Sequence, residues 1–376
     1  MTTTLRLRPY YPWTVVLCAA FLAACGGGYG GGGGGGGGCG AYASCTPTVT
    51  ITNMAGTVSG TLVLTATATA AGAYTVMNVQ FRVDGTAVGA ADTSMPYSYS
   101  WDTGSVADGA HLISAVVTDS VGQTATSANV SLMVSNSATF PVTLTSGLLF
   151  PTVTTAATGS GSFTINTANG HTSGSVTLSG ITVTSAEIGD AYAGASSVGL
   201  FALTQNVGNV NEWDVPTAFM GFDAGQRADL AAGKLYVLVR TAANPNGELR
   251  AQLLPTGFSV KVAMLTGGAE VPPVVSSASG LAAVTVNSSG MMAAVHVNVS
   301  GVVATGAELD TGAAGVIGVQ LAPLAVDPLD PNHYLNEAVT LMSADVTNYT
   351  GGMWYANVTS AAHTGGELRG QIVTAP

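Results

Sequence analysis

Residues 246–253 read NGELRAQL, and residues 365–372 read GGELRGQI. A chain with only 8% charged residues thus places the same Glu-Leu-Arg twice. In a strand, Glu248 and Arg250 point to one face and Leu249 to the other. Glu367, Leu368 and Arg369 repeat this arrangement. The leucine is expected to enter a core. The acid and the base lie opposite, free to pair with each other, with neighbouring strands or with a loop. Charge-assisted bonds of that kind fix a register, so the motif predicts a structural role, with ligand binding as the alternative. The strand before it alternates Leu235, Val237 and Val239 with Tyr236, Leu238 and Arg240. Its second version alternates Trp354, Ala356 and Val358 with Tyr355, Asn357 and Thr359. NPNG at 244–247 and HTGG at 363–366 supply turn residues that close a hairpin onto the motif.

The repetition extends outward from these strands. Leu144 aligns with Leu265 at an offset of 121 (265 − 144), and Glu187 then falls on Glu308. Near the end the offset is 119 (369 − 250), placing Tyr236 on Tyr355 and Glu248 on Glu367. Two units, expected at 140–255 and 257–376, are copies of one domain. They resemble the CHRD domain, the repeat first described in chordin. The second copy carries the resemblance in LTGGAEVPPVVSSASG, GAELDTGAAGVIGVQL and GGMWYANVTSAAHTGGELRGQIV. The first keeps AAGKLYVLVRTAANPNGELRAQLL but has Leu148-Leu149-Phe150 where the second has Ala269-Glu270-Val271. The resemblance implies an extracellular-type β-sandwich.

The family's middle motif carries a histidine pair. Here those positions are Glu308 and Asp310 in one copy and Glu187 and Gly189 in the other. Copper or zinc sites want imidazole or thiolate, so no such site is expected. Carboxylates there, with Asp190, are candidates for calcium, although two fall short of the six to eight oxygens calcium takes. No cofactor is expected. His296 alternates with Val295 and Val297 and is expected at the surface; His363 is expected at an exposed turn. Residues 327–337, DPLDPNHYLNE, read as a polar loop where a ligand is easily placed.

Residues 46–136 alternate apolar and polar positions with period two between Gly, Asn, Asp and Pro turns. Seven short strands suggest an antiparallel sandwich. The Asp84-Gly85 turn, Trp101-Asp102-Thr103, Asp108-Gly109-Ala110-His111 and Thr118-Asp119 before Gly122 resemble bacterial Ig-like domains. The fold class is therefore all-β: tandem antiparallel sandwiches, one Ig-like and two CHRD-like.

Residues 1–24 read as an export leader, with Arg6 and Arg8 before the apolar WTVVLCAAFLAA. Leu22-Ala23-Ala24-Cys25 resembles the lipobox of bacterial lipoproteins, which implies lipidation of Cys25. Gly26, rather than Asp, implies the outer membrane of a Gram-negative host. An ordinary signal peptide with an Ala-Ala site is the alternative. Residues 25–45 are dominated by glycine and predict a flexible tether. Cys39 and Cys45 could close a disulfide in an oxidising compartment.

The formal net charge is −11, and lysine occurs only at Lys234 and Lys261. Nucleic acid is not expected as a partner. Neither Gly-x-Ser-x-Gly nor His-Glu-x-x-His occurs in the sequence. The functional expectation is a non-catalytic surface lipoprotein, anchored in the membrane, for adhesion or display of a protein or glycan ligand. The alternative is an exported metal-dependent enzyme or metal-binding protein built on the CHRD-like copies.

Overall fold

The computed structural model describes residues 46–374. Cys25, Cys39, Cys45, the leader and the glycine tract lie outside the described residues.

The chain is all-β, in tandem sandwiches. In the first unit, Thr48–Ile51, Thr61–Thr69 and Tyr97–Asp102 form one sheet. Gly56–Val58, Val130–Val134, Gly109–Asp119, Val76–Val83 and Thr86–Ala87 form the other. Alternation sends Leu64, Phe81, Trp101, Ile113 and Leu132 into the space between the sheets. One pairing departs from the expected antiparallel pattern: Gly56–Val58 runs parallel to Val130–Val134. The chain crosses between sheets at Asn53, whose side chain takes over two bonds of the sheet it leaves, to Val63 O and from Thr65 N–H. At the Asp-Gly turn, Asp84 has φ 49° and Gly85 φ 77°, which suits a tight hairpin.

The first CHRD-like copy has two sheets. Ser137–Leu144, Thr158–Asn166, Thr172–Ser179, Glu212–Asp214 and Thr204–Gln205 make one. Phe201–Ala202, Val183–Asp190, Leu235–Thr241 and Leu249–Gln252 make the other. A bridge between Thr145 and Arg250 joins them at one edge. The second copy closes the same arrangement into a ring. Its order runs Ser279–Asn287, Met292–Ser300, Asp330–Thr340, Val319–Asp327, Ala304–Thr311, Trp354–Ser360, Leu368–Gln371 and Phe258–Thr266. Phe258–Thr266 then pairs back with Ser279–Asn287. Closure leaves this sheet with only the short outlying strand Val373–Thr374 beyond the ring.

Residues 327–337 are therefore mostly strand rather than loop, since they form a hairpin between Val319–Asp327 and Asp330–Thr340. Among the described residues two short α-helices accompany the sheets. Ala224–Ala231 starts at a capping box of Asp223 and Gln226. Ser343–Thr350 starts where Asp345 accepts from Met342 N–H at 2.8 Å.

Candidate functional site

Leu249 and Leu368 enter the two CHRD-like cores with no exposure. The flanking acid and base do not pair with each other; each grips a different segment. Glu248 accepts from Thr241 Oγ1 at 2.6 Å, Thr155 Oγ1 at 2.7 Å and Asn244 Nδ2 at 3.0 Å. These donors, Thr241 foremost, hold its carboxyl below the usual range. Glu367 accepts from Ser276 Oγ at 2.7 Å, at the position matching Thr155.

Arg250 lies 3.9 Å over the Tyr236 ring and donates to Tyr192 O at 2.9 Å, Ala191 O at 3.1 Å and Ala195 O. Arg369 lies 3.5 Å over Tyr355 and donates to Val316 O at 2.7 Å and Ala313 O at 3.2 Å. Gln252 and Gln371 donate to Ala191 O at 2.8 Å and Gly312 O at 2.9 Å, respectively. Each arginine thus fastens one loop over the outer face of its sheet. That cover explains why Tyr236 and Tyr355, on the face away from the core, are buried too.

Under the loop of the second copy, polar groups collect. Register aligns Glu308, Asn357 and Arg369 in one cross-strand row, and Asp310, Tyr355 and Gln371 in the next. Glu270 descends onto them from the segment after Phe258–Thr266. It lines a cavity of about 450 Å³ with Val271, Pro273, Ala314, Arg369 and Gln371. Glu270 is 7% exposed, its Oε1 has no hydrogen-bond partner, and burial pushes its pKa up. Asn357 Oδ1 is likewise buried and unpartnered. Burial first, then the Glu308 charge, raises Asp310 to about 6.

Gly366 shows how closely two of these oxygens meet. It has φ +146°, and a Cβ there would lie 2.6 Å from Asn357 Oδ1 and 2.7 Å from Glu270 Oε1. At the matching Gly247, a Cβ would meet Leu238 Cδ1 at 2.7 Å and Leu149 Cδ2 at 3.2 Å. Leu149 and Leu238 occupy the positions of Glu270 and Asn357. The same place is apolar in one copy and acidic in the other.

The remaining expected residues are dispersed. Glu187 forms an ion pair with Arg240 at 2.7 Å. Asp190 accepts no ligand-like arrangement of side chains; its N–H bonds to Ser197 Oγ at 3.0 Å. Glu308 accepts from Gln320 and from Asn357 Nδ2 at 3.3 Å. Among the described residues no three His, Cys, Asp or Glu side chains converge to hold a metal ion.

A second polar constellation lies between the copies. His296 points away from its valine neighbours, as alternation requires, yet it is 1% exposed rather than at the surface. The arginine-held loop of the first copy covers it. Gly194, with φ +89°, sits so close that a Cβ would stand 2.8 Å from His296 Cβ. Its carbonyl accepts from Asn298 Nδ2 at 2.7 Å, and the Tyr192 ring lies 5.9 Å from the imidazole. His296 Nδ1 is 3.0 Å from His333 Nε2, and His333 Nδ1 is 2.9 Å from Asp327 Oδ2. Glu337 Oε1 is 3.5 Å from His296 Nε2 without making a hydrogen bond. Burial, then His333, depresses His296 to about 3.

Sequence reasoning missed Glu270, Asn357, His296 and His333 as neighbours in space. The Leu149-to-Glu270 difference between copies was the available signal for the first pair. Nothing in the local pattern marks the histidines.

A family model described as CHRD domain matches residues 140–253 and again 262–372. A second, described as Bacterial Ig domain, matches residues 47–115. No curated protein matches the chain. Among solved structures, the fibronectin(III)-like modules of Clostridium thermocellum CbhA are 28% identical, over 23% of this chain and 95% of theirs, at a TM-score of 0.20. The Bacteroides ovatus mixed-linkage glucan utilization locus protein SGBP-B, in complex with mixed-linkage heptasaccharide, is 10% identical over 87% of this chain and 67% of its own, also at a TM-score of 0.20. At that score neither likeness bears on function.

Proposed function

The chain belongs to the CHRD domain family, and from that premise we propose that it is a non-catalytic, exported ligand-binding protein of the cell envelope. An Ig-like unit and two CHRD copies carry the binding surface, and lipidation of Cys25 with the glycine tract behind it holds them at the membrane. The ligand is a protein or a glycan. The observation that carries this reading is the contrast between the copies. Both use the same arginine clamp, and each has a cavity beside it; the first is lined by Leu148, Ala251 and Gln252, the second by the charged Glu270 and Arg369 with Gln371. Charged groups recessed beside a cavity are suited to recognition, and a rigid sheet is suited to presenting them.

An array of glycans and matrix proteins probed with the full chain tests the proposal, together with labelling of intact cells by an impermeant reagent. Saturable binding to an arrayed ligand and labelling of the chain are expected. Silence across the array, or protection in intact cells, contradicts surface binding. Palmitate incorporation that disappears in Cys25→Ala is the expected sign of the anchor.

A further inference from the structure

Resting on the binding role proposed above, we infer that the cavity beside Glu270 takes a primary ammonium group carried on a short apolar stem. The donor such a group brings is what the site lacks. Glu270 Oε1 and Asn357 Oδ1 are buried acceptors without partners, and they converge over Gly366. Folding does not require them there, because Leu149 and Leu238 fill the same place in the first copy. Beside them, the charges of Glu270 and Asp310 act on the single guanidinium of Arg369, which is already engaged by Tyr355, Ala313 O and Val316 O. The local balance favours an incoming cation. A bare divalent ion is poorly served, since no three acidic or imidazole side chains converge among the described residues. Val271, Pro273, Ala269 and Ala314 wall the cavity with apolar surface suited to a methylene stem. The chemistry is shared by free alkylamines and by a lysine side chain of a partner protein.

The test is calorimetric titration of the full chain near neutral pH with n-pentylamine, Nα-acetyl-lysine methylamide, 1-pentanol, pentanoate and calcium chloride. Saturable binding of an amine is expected, at least about tenfold tighter than pentanol or pentanoate. Pentylamine preferred over the lysine derivative assigns the site to free amines, and the reverse assigns it to a protein side chain. Glu270→Gln is expected to weaken amine binding by about tenfold. Glu270→Leu with Asn357→Leu, the pair already used by the first copy, is expected to abolish it while the chain still unfolds cooperatively. Amine binding that survives the double substitution overturns the inference, as does equal binding of pentanol, no binding of either amine, or binding of calcium alone. Array binding by the native chain when the amine titrations fail leaves the general binding role standing and removes only this assignment.

Discussion

Removing the Arg250 side chain leaves Ala191 O, Tyr192 O and Ala195 O without their shared donor beneath a closed loop. Burial already pulls its pKa down to about 10. Arg250→Ala is expected to destabilise the first copy by about 3 kcal/mol. Arg250→Lys is expected to recover less than half of that, because an ammonium reproduces neither the fork nor the ring stacking. Chemical denaturation measures both; a loss within about 0.5 kcal/mol for Arg250→Ala would place the loop's stability elsewhere. The residue scale was only partly legible in sequence. Alternation correctly set Leu249 inward with Glu248 and Arg250 opposite. It says nothing about what lies over the outer face, so the arginine's carbonyl partners, some 55 residues away, were out of reach.

The same gap explains the error at His296. Period-two patterning assigns a face, and the assignment held. Exposure depends on whether another element covers that face, and here the loop around Gly194 does. The burial has a consequence in acid. The unfolded imidazole takes its proton near pH 6.5, whereas in the folded chain it does so only near 3. The stabilising contribution is therefore complete above pH 6.5 and is lost as pH falls from there toward 3. Around the ring stand His333 and Asp327 on the hairpin, Glu337, Lys234, Arg250 and the Tyr192 ring. His296→Gln is expected to lose about 2 kcal/mol less than the native chain between pH 7 and pH 4. Parallel acid titrations of the two proteins would refute the buried seam. The short helices were a different kind of omission. Asp223 and Gln226 form a capping box visible in the sequence, but eight residues of weak periodicity do not stand out in a β-rich chain.

For the whole molecule, the repeat was the strongest signal. A repeat that spans more than a hundred positions, its offset changing only from 121 to 119, specifies two like folds whatever each strand's propensity. Ring closure of the second copy was not legible, because the pairing of Phe258–Thr266 with two different neighbours is set by tertiary packing. The polar pair in the second copy could have been found by reading the two copies against each other. Leu149 became Glu270 and Leu238 became Asn357, while the clamp residues stayed. The central claim is that this exchange serves a ligand at the expense of stability. Thermal melting of Glu270→Leu/Asn357→Leu in the absence of ligand tests it most directly. Each unpartnered buried acceptor costs about 1–3 kcal/mol. The account predicts that the double variant melts at least about 4 °C above the native chain; a lower melting temperature would contradict it.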